Sequence, residues 1–121
     1  MLAADIMKGG ISAGTARALQ GVVASSITAA GTVITDATDL VFSINPVTTV
    51  AANSGVQLPL LQPNESVLVY NQGANMLRVY PGASTVAINS LTAGNPHTLA
   101  TNTACTYTGI TSTLVVGNLS A

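Results

Sequence analysis

Charged side chains are scarce in this 121-residue chain. Asp, Glu, Lys and Arg make up 6% of it, against about 25% in an ordinary soluble protein, and the stretch from Val79 to Ala121 has none. Soluble monomers are normally kept apart by interspersed charge and a net charge away from zero, yet the formal net charge here is −1. The composition therefore predicts both a surface covered by neutral hydrogen-bonding side chains, namely Thr, Ser, Asn and Gln, and the removal of much of the surface from water by association.

The same shortage limits the chemistry that the chain can perform. Three basic residues against four acidic ones cannot make a phosphate-binding patch, which argues against a nucleic-acid partner. One cysteine, Cys105, and one histidine, His97, supply neither a zinc site nor an intrachain disulfide. No phosphate loop or dinucleotide motif is present. The sequence thus predicts no metal, no cofactor and no catalytic residue, and we expect the chain not to be an enzyme.

The remaining reactive side chains have ordinary structural explanations. A lone His97 after Pro96 is expected to make a local hydrogen bond, and Cys105, among Thr and Tyr, is expected to pack as a small buried hydrophobe. Asp36 and Asp39 are close in sequence, but a calcium loop needs more ligands than two carboxylates. These two are expected to be turn residues.

Long apolar runs are also missing. A membrane-spanning helix needs about 18 consecutive apolar residues, and Gly, Pro, Asn, Thr or Ser interrupts every uncharged stretch. The first residues do not place positive charge ahead of a continuous apolar run, as a secretory signal would. We therefore expect no membrane partner and assembly in a cytoplasm.

Short runs rich in Val, Ile, Leu, Thr and Tyr are abundant from Val22 onward, separated about every ten residues by Gly, Pro and Asn. This spacing predicts one all-β domain, a small β-sandwich or β-barrel, over residues 22–121. No repeat of fixed period is visible, which disfavours a solenoid. Residues 1–21 differ, with four glycines and two of the three basic residues, and are predicted to form an extended N-terminal arm.

The clearest local pattern is a predicted hairpin, with strands Ser66–Asn71 and Met76–Pro81 around Gln72–Asn75. Both of its faces are largely apolar, so we expect a neighbouring subunit to cover the second one. One face is predicted to lie in the core: Leu68, Tyr70, Leu77 and Val79. Other predicted strands are 24–28, 40–44, 48–51, 86–89, 97–100, 104–109 and 113–116, with turns at Gly31, Pro46, Gly55, Gly82, Gly94 and Pro96. The two prolines between Gly55 and Asn64 predict an edge segment or a connection there.

Three segments together resemble a pattern of small bacteriophage virion proteins: Asn45–Ala51, Gly55–Pro59 and Ser66–Pro81. The core of the pattern, N-x-G-x-N-x-L-x-V-Y-P, runs from Asn71 to Pro81, and an Ile88-Asn89 pair and a last apolar hairpin follow. The resemblance covers about Thr48 to Val116 and is to proteins of the capsid decoration, or cement, type. The absence of a Trp near the C-terminus is a departure from it.

This resemblance implies a homotrimeric, β-rich subunit on the outer surface of a virion. It would bind the major capsid protein of the assembled lattice and stabilise the head by contact area rather than chemistry. A tail- or fibre-associated virion protein is the alternative. A carbohydrate-binding module that presents Tyr70, Tyr80 or Tyr107 to a sugar is disfavoured, because the chain has three Tyr, one Phe and no Trp.

Capsid or subunit contacts are predicted for residues of the arm and for two positions in the β domain. Lys8 and Arg17 would be the polar anchors of the arm. Arg78, a lone charge in its region, is expected in a salt bridge or an interfacial hydrogen bond, with Glu65 as one candidate partner. The full set of predicted contacts is Met1, Leu2, Ile6, Lys8, Arg17, Arg78 and Tyr80.

Overall fold

The computed structural model describes residues 26–120, where the chain forms strands and no helix. The strands are β1 Ile27–Thr28, β2 Thr38–Asp39, β3 Ile44–Thr49, β4 Gly55–Gln57, β5 Ser66–Asn71, β6 Leu77–Tyr80, β7 Ala87–Ile88, β8 His97–Leu99, β9 Thr103–Thr111 and β10 Leu114–Ser120. The all-β prediction is confirmed for this range. The predicted boundary between arm and domain, after residue 21, lies outside the described residues.

The chain winds as a β-solenoid, so the prediction of a sandwich or barrel is wrong. Strands β1, β3 and β5 lie parallel in sheet A, and β2, β4 and β6 lie parallel in sheet B. Successive strands thus alternate between the two sheets and build stacked coils. The last strands close this stack: β8 is antiparallel to β6, β9 is antiparallel to β5, and β10 lies between β9 and β7.

The coils have unequal lengths, which explains why no repeat is visible in the sequence. Thr38 of β2 aligns with Val56 of β4, 18 positions later, whereas Val56 aligns with Val79 of β6, 23 positions later. A fixed-period search misses such a stack, because each corner loop changes the spacing.

The predicted hairpin at Ser66–Pro81 is also wrong. β5 pairs with β3 and β9 in sheet A, while β6 pairs with β4 and β8 in sheet B. The turn between them carries the chain from one sheet to the other. Both strands contain apolar residues because each turns one face toward the core from its own sheet: β5 buries Val67 and Val69, and β6 buries Leu77 and Val79.

The core lies between the two sheets, and its members alternate along each strand. The fully buried side chains include Val47, Val67, Val69, Cys105 and Tyr107 from sheet A and Val56, Leu77, Val79 and Leu99 from sheet B. Leu77 and Val79 are therefore core residues as predicted. Leu68 and Tyr70 are only half-buried, because β5 turns Val67 and Val69 inward, and the prediction that placed them in the core is wrong.

Two predictions about glycine and proline positions also need correction. Gly55, predicted as part of a turn before an edge segment, begins β4, which lies between β2 and β6. The prolines of that stretch, Pro59 and Pro63, come only after the strand has ended at Gln57. Pro46, predicted in a turn, lies inside β3. It aligns with Tyr70 of β5, and the pairing of β3 with β1 begins one residue later, at Val47.

Candidate docking surface

The outer face of sheet A has no Asp, Glu, Lys or Arg side chain on the four strands β3, β5, β9 and β10. Its rows follow the strand register: Ile44, Leu68, Thr106 and Asn118 align across β3, β5, β9 and β10. We call this surface the outer A face; its residues are Ile44, Pro46, Thr48, Ser66, Leu68, Tyr70, Ala104, Thr106, Thr108, Val116 and Asn118. All of them are half-buried or exposed.

Two polar side chains on neighbouring strands of the outer A face pair with each other. The hydroxyls of Ser66 and Thr108, which are opposite each other on β5 and β9, are hydrogen-bonded at 2.8 Å. The same face carries Ile44, which is 42% exposed, and the half-buried Leu68 and Tyr70. The surface thus presents both paired hydroxyls and apolar side chains.

The outer face of sheet B, by contrast, is partly covered by the chain's own loop after β1. The hydroxyl of Tyr80 donates to the Thr32 carbonyl oxygen at 3.0 Å, and the Arg78 guanidinium donates to the same oxygen at 3.5 Å. Arg78 also donates to Oδ1 of Asn53 at 3.2 Å. Gly55 makes room for this arrangement, because a Cβ there would come within 2.9 Å of the Tyr80 ring.

These contacts show where the structure places the predicted contact residues. Tyr80 is 5% exposed, so it is a packing residue within the chain and offers little surface to a partner. Arg78 is half-buried, and its hydrogen bonds are to Thr32 and Asn53; the suggested partner Glu65 accepts a hydrogen bond from the Gln62 backbone N–H at 2.8 Å. The arm positions lie outside the described residues: Met1, Leu2, Ile6, Lys8 and Arg17.

The N-x-G-x-N part of the motif forms the corner between β5 and β6. Oδ1 of Asn71 accepts from the Gly73 N–H, and its Nδ2 donates to the carbonyl oxygens of Asn75 and Leu99, each at 2.9 Å. Nδ2 of Asn75 donates to the Val50 carbonyl oxygen of the preceding coil at 2.8 Å. The motif residues therefore hold this corner against the preceding coil and against β8.

His97, Tyr107 and Cys105 are neighbours in the interior near β8 and β9. Nδ1 of His97 lies 2.8 Å from the Tyr107 hydroxyl, and the two rings meet edge to face with centroids 5.6 Å apart. The local hydrogen bond predicted for His97 is confirmed, as is the burial of Cys105, which is 0% exposed. Burial lowers the pKa of His97 and raises the pKa values of Tyr107 and of the Cys105 thiol.

All three groups are consequently neutral near pH 7, which gives an inert thiol and phenol rather than an activated nucleophile. Elsewhere in residues 26–120, no three His, Cys, Asp or Glu side chains lie close enough to hold a metal ion. The described range also contains no helix that could cross a membrane.

Sequence reasoning missed a groove where the parallel strands of sheet B end. It has a volume of about 450 Å³, and we call it the corner groove; its lining is Asp39, Leu40, Val41, Gln57, Leu58, Pro59, Leu60, Gln62 and Gly82. Leu60 is 61% exposed and Val41 38% exposed. The apolar run Leu58–Leu61, interrupted by Pro59, could have indicated this groove. The sequence analysis predicted only an edge segment or a connection there.

Comparison with known proteins identifies no relative: no family model, no curated protein and no solved structure matches this chain.

Proposed function

We propose that this chain is a structural subunit of a virion, a capsid decoration protein that docks onto the assembled major capsid protein through its outer A face. The proposal rests on one observation: the residues of that face, on four neighbouring strands, include no charged side chain. The major capsid protein is proposed as the partner because the segments between Thr48 and Val116 resemble small phage virion proteins. We also propose that the chain performs no catalysis.

An uncharged face suits association with protein better than solvent exposure. Burial of apolar area contributes about 25 cal/mol per Å², and the face contains no Lys or Glu whose desolvation would oppose docking. Hydroxyls such as those of Ser66 and Thr108 are already paired, so covering them leaves fewer unsatisfied groups.

The size of the outer A face supports an oligomer rather than a single docked copy. Four strands about 4.8 Å apart and three rows of side chains about 6.8 Å apart make a patch of about 400 Å². A stable interface commonly buries about 800 Å² per partner. One copy thus falls short, whereas the proposed trimer would present about 1,200 Å² and gain from multivalent attachment.

A reconstitution experiment tests this function. Purified protein is mixed with mature particles that lack it, the particles are sedimented, and bound copies are counted. Leu68→Glu puts a carboxylate at the centre of the outer A face, and we expect binding to weaken on the order of a hundredfold, because a charge buried without a partner costs about 3 kcal/mol.

Thr98→Glu is the matched control, since it adds the same charge at an exposed strand position of sheet B. It should bind like the unaltered protein. Full occupancy by Leu68→Glu would overturn the assignment of the docking face. Binding in a few copies at a single vertex would overturn lattice decoration and favour the tail-associated alternative.

A further inference from the structure

The corner groove leaves apolar side chains in contact with water. Leu60 and Val41 are 61% and 38% exposed at its rim, and Leu58, of which 2% is exposed, lies in its lining. One carboxylate, that of Asp39, also lines the groove. The site therefore combines apolar walls with a single negative charge.

The walls are held in place by contacts between successive coils. Nε2 of Gln57 donates to the carbonyl oxygens of Pro81 and Gly82 at 3.3 and 3.2 Å. Gly82 lies against the neighbouring turn so closely that a Cβ there would be 2.9 Å from the backbone of Leu60. Because these polar groups are engaged within the chain, the groove offers mainly side-chain hydrocarbon and the Asp39 carboxylate.

Charge complementarity indicates what the groove binds. The described residues carry three acidic side chains, Asp36, Asp39 and Glu65, and one basic one, Arg78, which gives them a formal charge of −2. Arg78 donates to Thr32 and Asn53. The chain before residue 26 carries the two other cations, Lys8 and Arg17, and one acidic residue, Asp5, so its side chains have a formal charge of +1, opposite in sign to that of the described residues.

The sequence around Lys8 matches the groove in a second way. The apolar pair Ile6-Met7 directly precedes Lys8, and Leu2 lies four positions before Ile6. Eighteen positions separate Lys8 from Ser26, which can span up to about 60 Å when extended. A domain of this size has a radius of gyration of about 12 Å, so the segment can reach the groove of its own or of a neighbouring copy.

We propose that the corner groove binds the segment Leu2–Lys8 of this chain, with Ile6 and Met7 against Leu60 and Val41 and the Lys8 ammonium paired with Asp39. The groove thereby becomes a subunit contact built from the chain's own two parts. This inference does not depend on the shell partner, and it is tested on purified protein without particles.

Disulfide cross-linking in the full chain tests the contact. Met7→Cys is combined with Leu60→Cys, the protein is exposed to mild oxidant, and products are resolved on non-reducing gels with mass analysis of the linked peptides. We expect the disulfide between positions 7 and 60 to form on the order of tenfold faster than the disulfide of the control pair, as binding in the groove holds the thiols together. The size of the linked product shows whether the segment comes from the same copy or from another one.

The control pair is Met7→Cys with Met76→Cys. Met76 is 56% exposed, as accessible as Leu60, but it immediately precedes β6 whereas the groove lies where β6 ends. Met7→Cys alone checks that the natural Cys105, which is buried, does not react. Equal rates for the two pairs would overturn the proposal, and that result is also expected if the groove binds a shell protein or a small apolar molecule instead.

A charge exchange tests the ion pair separately. Lys8→Glu in the Met7→Cys, Leu60→Cys background should slow the cross-link, because it places two carboxylates together, and adding Asp39→Lys should restore the rate. Failure of the exchange to restore it would contradict the pairing of Lys8 with Asp39. Circular dichroism of each variant confirms that residues of the β domain remain folded.

Discussion

At the residue scale, the Asn71 side chain makes hydrogen bonds of the kind that backbone groups make elsewhere in the fold. It is 0% exposed, and a buried amide is tolerated only where its donors and acceptor are matched. Asn71 meets this requirement by bonding to Gly73, Asn75 and Leu99. It thus joins the β5–β6 corner to strand β8, which follows much later in the chain.

Replacement of this residue should be costly. We expect Asn71→Ala to lower the free energy of unfolding by about 3 kcal/mol, because it leaves buried carbonyl and N–H groups without partners. Urea denaturation followed by circular dichroism measures the change. Asn95→Ala, at an exposed loop position, is the control and should stay within about 0.5 kcal/mol of the unaltered protein. A similarly small effect of Asn71→Ala would show that the corner does not need the amide.

At the scale of elements, the stack of coils depends on close approach between corners. Gly73, in the corner after β5, lies against Val50, which follows β3. A Cβ at position 73 would be 2.5 Å from Cγ2 of Val50. The glycine is required here by the neighbouring coil and not by its backbone angles, since its φ is not positive.

This contact predicts a specific coupling between the two positions. Gly73→Ala should destabilise the protein by about 1–3 kcal/mol through overpacking, and Val50→Ala should destabilise it through a cavity. Val50→Ala removes Cγ2 but leaves its Cβ 2.6 Å from a Cβ at position 73. The double variant therefore relieves only part of the overlap, and the two effects should fall short of additivity by about 0.5 kcal/mol or more. Additive effects in a double-mutant cycle of denaturation free energies would contradict the packing described for these coils.

At the scale of the whole molecule, the residues of the outer A face include no charged side chain, and Glu65, which directly precedes Ser66, accepts a hydrogen bond from the Gln62 backbone N–H. Asp39 lines the corner groove, and Arg78 lies on sheet B against the chain's own loop. Binding of particles through the outer A face should therefore change less than about threefold between roughly 50 and 500 mM salt, because screening acts on charges that this interface lacks. Sedimentation assays at the two salt concentrations measure it.

The proposed contact in the corner groove should depend on salt concentration, unlike binding through the outer A face. The cross-link between positions 7 and 60 involves the proposed pair of Lys8 with Asp39, so its rate should fall over the same salt range. Strongly salt-dependent particle binding would indicate that charged residues, and not the outer A face, make the main contact.

Much of the local structure was predictable from single residues and their neighbours. Runs such as 104–109 and 113–116 were recognised as strands, Cys105 was expected to be buried, and His97 was expected to make a local hydrogen bond. The candidate site was harder to predict from the sequence. The scarcity of charge predicts an associating surface, and this stays a prediction. The residues chosen for it included Tyr80, which the fold buries, and did not include Leu60, which is 61% exposed.

The sequence by itself determined that residues 26–120 form strands and that the surface carries few charges, because β propensity and ionisation belong to each residue and its immediate neighbours. Only the tertiary structure decided that β5 and β6 belong to different sheets, and that Leu68 and Tyr70 therefore face outward. A sequence pattern of two apolar strands around a short turn is compatible both with a hairpin within one sheet and with a corner between two sheets. The choice depends on partners in β3 and β4, which lie 24 and 23 positions earlier in the sequence.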